Sequence, residues 1–314
     1  MKHVNFGCSA LTAGNIGIGT LTWGRDTEIE DARQIAIAML EAGGNFIDLS
    51  PIYGEGEAIS TFGELLHNDF SRDEFILCLH TGYEITRTNI RHKISRSTIR
   101  KNLETTLQIL NTEYIDLLLV DFELGFQNID ELCQTLEEIS IRGTANYFGL
   151  HNWPAWLAAI VCAKLDARTR AKIISLGSEY SLLHRLPESQ LHQLAKFQGS
   201  GILAYSPLAG GVLTGKYRNT IPPTSRAATQ HLAPLVQPYL DARPRQLVEA
   251  VTKAADGLGR TPSEIAITWV LSQPQMSVAI CGPRTGMQGE QLFQGNYQEL
   301  PEQVLAVLNE ITAI

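Results

Sequence analysis

Four titratable residues recur at intervals of one strand–helix unit: Asp48, His80, Asp121 and His151, the last followed by Asn152. Each stands at the end of a short apolar run, such as Asn45-Phe46-Ile47 before Asp48 or Ile115 to Val120 before Asp121. A lone His or Asp in such a place is more often a cap or turn residue. Four of them in equivalent places argue for one shared rim. Imidazoles and carboxylates there can move protons, hold a charge or ligate a divalent ion. The spacing fixes no ligand geometry, so no metal is assigned. Gly177, Tyr205 with Ser206, and Gly282 end the remaining apolar runs.

The elements that position these residues alternate along the whole chain. Strands are predicted over 16–19, 45–48, 75–79, 115–120, 147–150, 173–176, 202–205 and 277–280. Helices are predicted over 28–41, capped by Thr27, and over 57–66, 90–110, 129–141, 153–165 and 187–197. Strand–helix alternation implies a parallel sheet with crossover helices, and eight units in this length imply a closed (β/α)₈ TIM barrel spanning 1–314 as a single domain. A doubly wound sheet would bring a GxGxxG turn after its first strand, and Gly14, Gly17 and Gly19 do not form one. In a barrel the catalytic rim is the C-terminal end of the strands, where the titratable residues fall. The long segment 218–244 holds Pro222, Pro223, Pro234, Pro238 and Pro244 and reads as a lid or a disordered loop.

The bulk composition excludes other classes. Hydrophobic residues make up 44% and charged residues 18% of the 314 residues, which is globular. The net charge of −8, without a basic run, argues against nucleic acid as a partner. No apolar run has the length of a membrane span. The cysteines, Cys8, Cys78, Cys133, Cys162 and Cys281, are odd in number and form no CxxC, which fits reduced thiols in a cytoplasmic protein. P-loop, GxSxG and HExxH motifs are absent. Trp23, Trp153, Trp156 and Tyr83 follow strand ends and read equally well as pocket wall or core.

Several ordered segments resemble the aldo-keto reductases over the full length. They are Gly17-Ile-Gly-Thr-Leu-Thr-Trp-Gly24, Gly43-Gly-Asn-Phe-Ile-Asp-Leu-Ser-Pro-Ile-Tyr-Gly54, Ala204-Tyr-Ser-Pro-Leu-Ala-Gly-Gly-Val-Leu-Thr-Gly-Lys-Tyr217, Thr261 to Pro274, and Gly282-Pro-Arg-Thr285. The resemblance puts Asp48 and Tyr53 at the family's catalytic Asp and Tyr. It implies an NADP(H) or NAD(H) cofactor touching His151, Asn152, Tyr205, Ser206, Leu208, Gly282, Arg284 and Thr285, with Arg284 the candidate anchor of a 2′-phosphate. The departures are specific. His80 stands at the family's catalytic Lys, Asp121 at its catalytic His, His151 at a Ser that grips the nicotinamide, and Gly177 at a Gln.

A tyrosine beside an ammonium and a neutral imidazole serves hydride reduction of a carbonyl. His80 can stand in for the ammonium, and a Tyr53–His80–Asp relay follows. A carboxylate at 121 repels an alkoxide, so either it is protonated or the developing charge is not negative. A carboxylate suits an iminium or ammonium, or acts as a base. The first reading is therefore an atypical NAD(P)-dependent oxidoreductase on a small carbonyl or imine/amine substrate. The second is a redox-neutral lyase, dehydratase or isomerase. The third is a non-catalytic binding or regulatory protein.

Overall fold

The computed structural model describes residues 1–86, 89–168 and 171–313. Eight parallel strands close into a barrel: β1 (Ile16–Gly19), β2 (Phe46–Leu49), β3 (Ile76–Thr81), β4 (Ile115–Asp121), β5 (Ala145–His151), β6 (Ile173–Glu179), β7 (Gly201–Tyr205) and β8 (Met276–Cys281). Each pairs with its successor, and β8 returns to β1 through Ile280 opposite Gly17. The expected eight strands and their order are those observed.

Side chains on a strand alternate between its two faces. Phe46, Cys78, Leu117, Leu119, Leu203, Val278 and Ile280 fill the barrel interior as one buried cluster. Ile47, Leu77, Leu79, Leu118 and Val120 point outward into the layer beneath the helices. Two residues beyond an inward apolar position comes the next inward position. Asp48 follows Phe46, His80 follows Cys78, and Asp121 follows Leu119. The alternation thus delivers three titratable groups to the same top layer. The bottom is plugged by an antiparallel hairpin (His3–Asn5 with Thr12–Gly14) and by Phe6, whose ring stacks 5.6 Å from Phe46.

Some local expectations differ from the structure. The predicted helix 90–110 is a strand and a helix: Ile90–His92 pairs antiparallel with Tyr83–Ile85, and the helix runs Arg96–Leu110 with Ser95 accepting from Thr98 N. Thr27 does not cap the first helix (Ile29–Glu41), because its hydroxyl pairs with that of Thr22 at 2.8 Å. The stretch 187–197 divides into a 3₁₀ turn (Leu186–Ser189) and a helix (Leu191–Gln198). Segment 218–244 is built from 3₁₀ turns at Arg226–Ala228, Ala233–Leu235 and Gln237–Tyr239 before a helix at Ala242–Leu258. It straps back over the barrel top through His231 to Asp26 (3.0 Å) and Arg226 to the Gly282 carbonyl (2.8 Å).

The helix Pro262–Leu271 begins with a reciprocal box. Thr261 Oγ1 accepts from Glu264 N at 3.2 Å, and Glu264 Oε2 accepts from Thr261 N at 2.6 Å. Thr261→Ala removes the acceptor for an otherwise orphaned helix N–H. The expected loss is about 1 kcal/mol, read as a lower midpoint in urea unfolding with unchanged slope. All five cysteines are free thiols, as expected.

Candidate active site

The rim residues converge on a buried polar chain. His80, at the penultimate position of β3, lies between two carboxylates: its Nδ1 is 2.7 Å from Asp121 Oδ1 and its Nε2 is 2.9 Å from Asp48 Oδ1. Tyr53 donates to Asp48 Oδ2 at 3.3 Å. Tyr53 therefore reaches His80 through Asp48, and the expected direct Tyr53–His80 link is replaced by Tyr53–Asp48–His80–Asp121. His151 closes the chain on the other side, with Nδ1 3.1 Å from Asp121 Oδ1, off the direction of a hydrogen bond. His80, Asp121 and His151 are 2%, 4% and 7% exposed, so water screens these charges little.

Environment sets the charge of each group. Burial favours the neutral acid at Asp121, but His80 and His151 outweigh it and hold the carboxyl well below its ordinary range. Those two imidazoles thus favour the ionised form of Asp121 over the protonated alternative. Burial pulls His80 down, and Asp121 and Asp48 more than reverse this, so its value stands well above that of a free imidazole. Tyr53 is pushed well up, first by burial and then by Asp48 and Asp121. It is held as a neutral phenol, a proton donor rather than a phenolate base.

Two residues outside the sequence expectation complete this chain. Tyr83, which was read only as pocket wall or core, donates to Asp121 Oδ2. Asn102 on the helix Arg96–Leu110 fixes it there: Asn102 Oδ1 accepts from Gly82 N and Tyr83 N, and Nδ2 donates to Tyr83 O. The signal in the sequence was the alternation Tyr83-Glu84-Ile85 after Gly82, whose φ of +101° permits a tight reversal. Gly177 has a structural reason. A Cβ built on it would lie 2.5 Å from His151 Cδ2, so the His151 ring occupies the space a side chain at 177 would need.

Next to this chain, Tyr205 ends β7 with its ring 5.0 Å from that of His151 and its hydroxyl 3.2 Å from Asn152 Oδ1. Asn152 and Ser206 have left-handed backbones (φ +60° and +53°), which turn the chain sharply at the ends of β5 and β7. Beyond Gly282 lies a group of cations, Lys216, Arg226 and Arg284. Partial burial and the two arginines lower Lys216, and burial and Arg284 lower Arg226. No ion pair within 4.0 Å holds any of the three among the described residues, and Arg284 Nε is buried without a partner. Arg226 and Lys216 were not among the expected site residues. Arg226 arrives from the strap 56 residues before Gly282, a distance no local pattern spans. Thr285 caps the helix Gly286–Phe293 by accepting from Gln288 N, and Leu208 packs between two core clusters. Trp23 and Trp153 are core, Trp153 donating to Val120 O at 2.8 Å, while Trp156 is exposed.

The family model for the aldo/keto reductase family matches residues 15–313. The chain belongs to the aldo/keto reductase family. Among its relatives, an uncharacterized oxidoreductase, YrpG, of Bacillus subtilis is 27% identical over 99% of this chain and 96% of its own length. Probable voltage-gated potassium channel beta subunits of Arabidopsis thaliana and of Oryza sativa subsp. japonica are each 27% identical over 90% of this chain and 87% of their own. Membership makes this an oxidoreductase-type barrel expected to take a small-molecule substrate and a nicotinamide cofactor. Among the described residues no helix is long and apolar enough to cross a membrane.

Proposed function

We propose that this aldo/keto reductase family member is a cytoplasmic NAD(P)-dependent oxidoreductase with an atypical catalytic set, acting on a small carbonyl or imine/amine substrate. The observation that carries the reading is the unpaired cation group Lys216, Arg226 and Arg284 beside Gly282. Three cations without acidic partners among the described residues, one with an orphaned Nε–H, fit the phosphates of a dinucleotide. Tyr205, beside Asn152 and His151, offers the flat surface that a nicotinamide ring stacks on. Bound there, the cofactor would supply the hydride.

The chain's own residues set what it reacts with. Tyr53 holds a proton at its Oη, steadied by Asp48. The reacting atom of a substrate lying against Tyr53 meets Asp121 and His80. Two like unit charges 4 Å apart repel by about 4 kcal/mol at an effective dielectric of 20. An alkoxide growing near Asp121 meets that penalty, whereas an iminium is attracted and loses its charge on reduction. His80 offsets this repulsion only in part, because it is shared between the carboxylates of Asp121 and Asp48, and C=N is therefore the favoured group. Loss of reduced-nicotinamide absorbance with cyclic imines, compared with aldehydes of similar shape, tests this. Turnover of imines well above that of aldehydes supports the reading, and no turnover of either class contradicts it.

Arg284→Ala removes one charge-assisted donor and should weaken NADPH binding by about 1.5 kcal/mol, roughly tenfold. NADH binding should change less, because the 2′-phosphate is the group lost. Fluorescence titration with both cofactors measures the difference.

A further inference from the structure

We propose that His80, Asp121 and His151 form a binding site for one divalent transition-metal ion. Their donor atoms already converge. Asp121 Oδ1 is 2.7 Å from His80 Nδ1 and 3.1 Å from His151 Nδ1, and all three lie within 4.8 Å of one another. Ligands about 2.1 Å from an ion and at right angles to each other stand roughly 3 Å apart. The two separations from Asp121 Oδ1 bracket that value, and the two imidazoles stand within 4.8 Å of each other.

The independent sign is His151. Its Nδ1 is buried and has no hydrogen-bond partner, although a carboxylate oxygen lies 3.1 Å away. Buried imidazole nitrogens are normally satisfied, and one left open toward a carboxylate and a second imidazole is placed as a ligand would be. The remaining atoms of the other two ligands are tied up in the manner of a metal site. His80 Nε2 faces Asp48 Oδ1 at 2.9 Å and can keep its N–H there, so that an ion entering at Nδ1 displaces the single proton shared with Asp121 Oδ1. Asp121 Oδ2 accepts from Tyr83, whose backbone Asn102 clamps, and so Oδ1, which faces both imidazoles, is the oxygen an ion would take.

Two imidazoles and one carboxylate suit Zn²⁺, Fe²⁺ or Co²⁺, and not Mg²⁺ or Ca²⁺, which take oxygen ligands. A second group of donors, Asp48, Cys78 and His80, competes for His80. It would take the Nε2 that Asp48 already engages, so the first group is the one proposed. Three protein ligands leave open positions for water or a substrate heteroatom. The site stands without the oxidoreductase reading. Only one consequence rests on that reading: an ion on Asp121 would offset the repulsion of an alkoxide, so the loaded protein should gain carbonyl activity that the stripped protein lacks.

The test uses the full chain, stripped with a chelator and dialysed, in a Cys8→Ser background that removes the exposed thiol. Calorimetric titration with Zn²⁺ should give one equivalent bound at micromolar affinity or tighter. Titration with Co²⁺ should give visible absorption bands of a low-symmetry nitrogen–oxygen site. His151→Ala should weaken Zn²⁺ by at least 100-fold and remove the Co²⁺ bands. Asp48→Asn, which leaves every ligand in place, should cost about 10- to 100-fold. Circular dichroism checks that each variant is folded, and His80→Gln serves if His151→Ala is not. No stoichiometric binding below millimolar Zn²⁺, or binding undiminished in folded His151→Ala and His80→Gln, overturns the proposal. Because no step requires cofactor or substrate, failure here is separate from failure of the oxidoreductase reading.

Discussion

Tyr53→Phe is expected to lower kcat about 100- to 10,000-fold while leaving the dissociation constant of the cofactor unchanged. The argument begins at the turn after β2. Gly54 and Glu55 both have left-handed backbones (φ +57° and +59°), and a Cβ on Gly54 would lie 2.0 Å from Trp23 O. The turn therefore packs tightly and aims the preceding Tyr53 inward. There its hydroxyl donates to Asp48 Oδ2. Burial and the carboxylates of Asp48 and Asp121 keep the phenol protonated across the neutral range. Of the two phenols that donate to the Asp48–His80–Asp121 chain, Tyr53 is the less buried and Tyr83 is 5% exposed, so Tyr53 is the one placed to give its proton to a substrate. Phenylalanine retains the ring, and thus its packing 5.8 Å from His80, and removes the proton alone. A change confined to KM, or no change, would show that Tyr53 only shapes the pocket. Single-turnover kinetics with a bound reduced cofactor separates the two.

Gly177→Gln is expected to destabilise the protein by about 1–3 kcal/mol, the usual result of forcing a side chain into a packed site. The cause is specific, because the His151 ring fills the volume a Cβ at 177 would take. The same substitution in a His151→Ser background should be tolerated, with a coupling of about 0.5–3 kcal/mol between the two positions. The double variant restores the Ser and Gln that the resemblance places at these positions and should bind nicotinamide cofactor at least as tightly as the parent. Urea unfolding of the four proteins in the cycle measures the coupling. Additive effects would mean that His151 and Gly177 were not exchanged as a pair.

The parts of this structure that repeat were legible in the sequence. Eight apolar runs at regular spacing define the barrel, and strand alternation puts Asp48, His80 and Asp121 in its top layer. What periodicity misses is chain reversal and long-range contact. Ile90-Arg91-His92 reads as the start of a helix until its pairing with Tyr83–Ile85 is known. Thr27 looks like a cap because its competing partner, Thr22, lies five residues back in a folded loop. The strap residues carry no period at all. Arg226 and His231 are placed only by what they reach, Gly282 and Asp26. The proposed metal ligands were visible as residue types, two His and an Asp, but their separations exist only once β3, β4 and β5 lie side by side.

The central claim, a nicotinamide-dependent oxidoreductase behind an altered catalytic set, is tested most directly by calorimetric titration of the purified protein with NADPH and with NADH. The account predicts binding of at least one of them at micromolar affinity or tighter, weakened by Arg284→Ala. No binding of either at millimolar concentration would contradict it and leave His80 and Asp121 as acid–base groups of a redox-neutral enzyme.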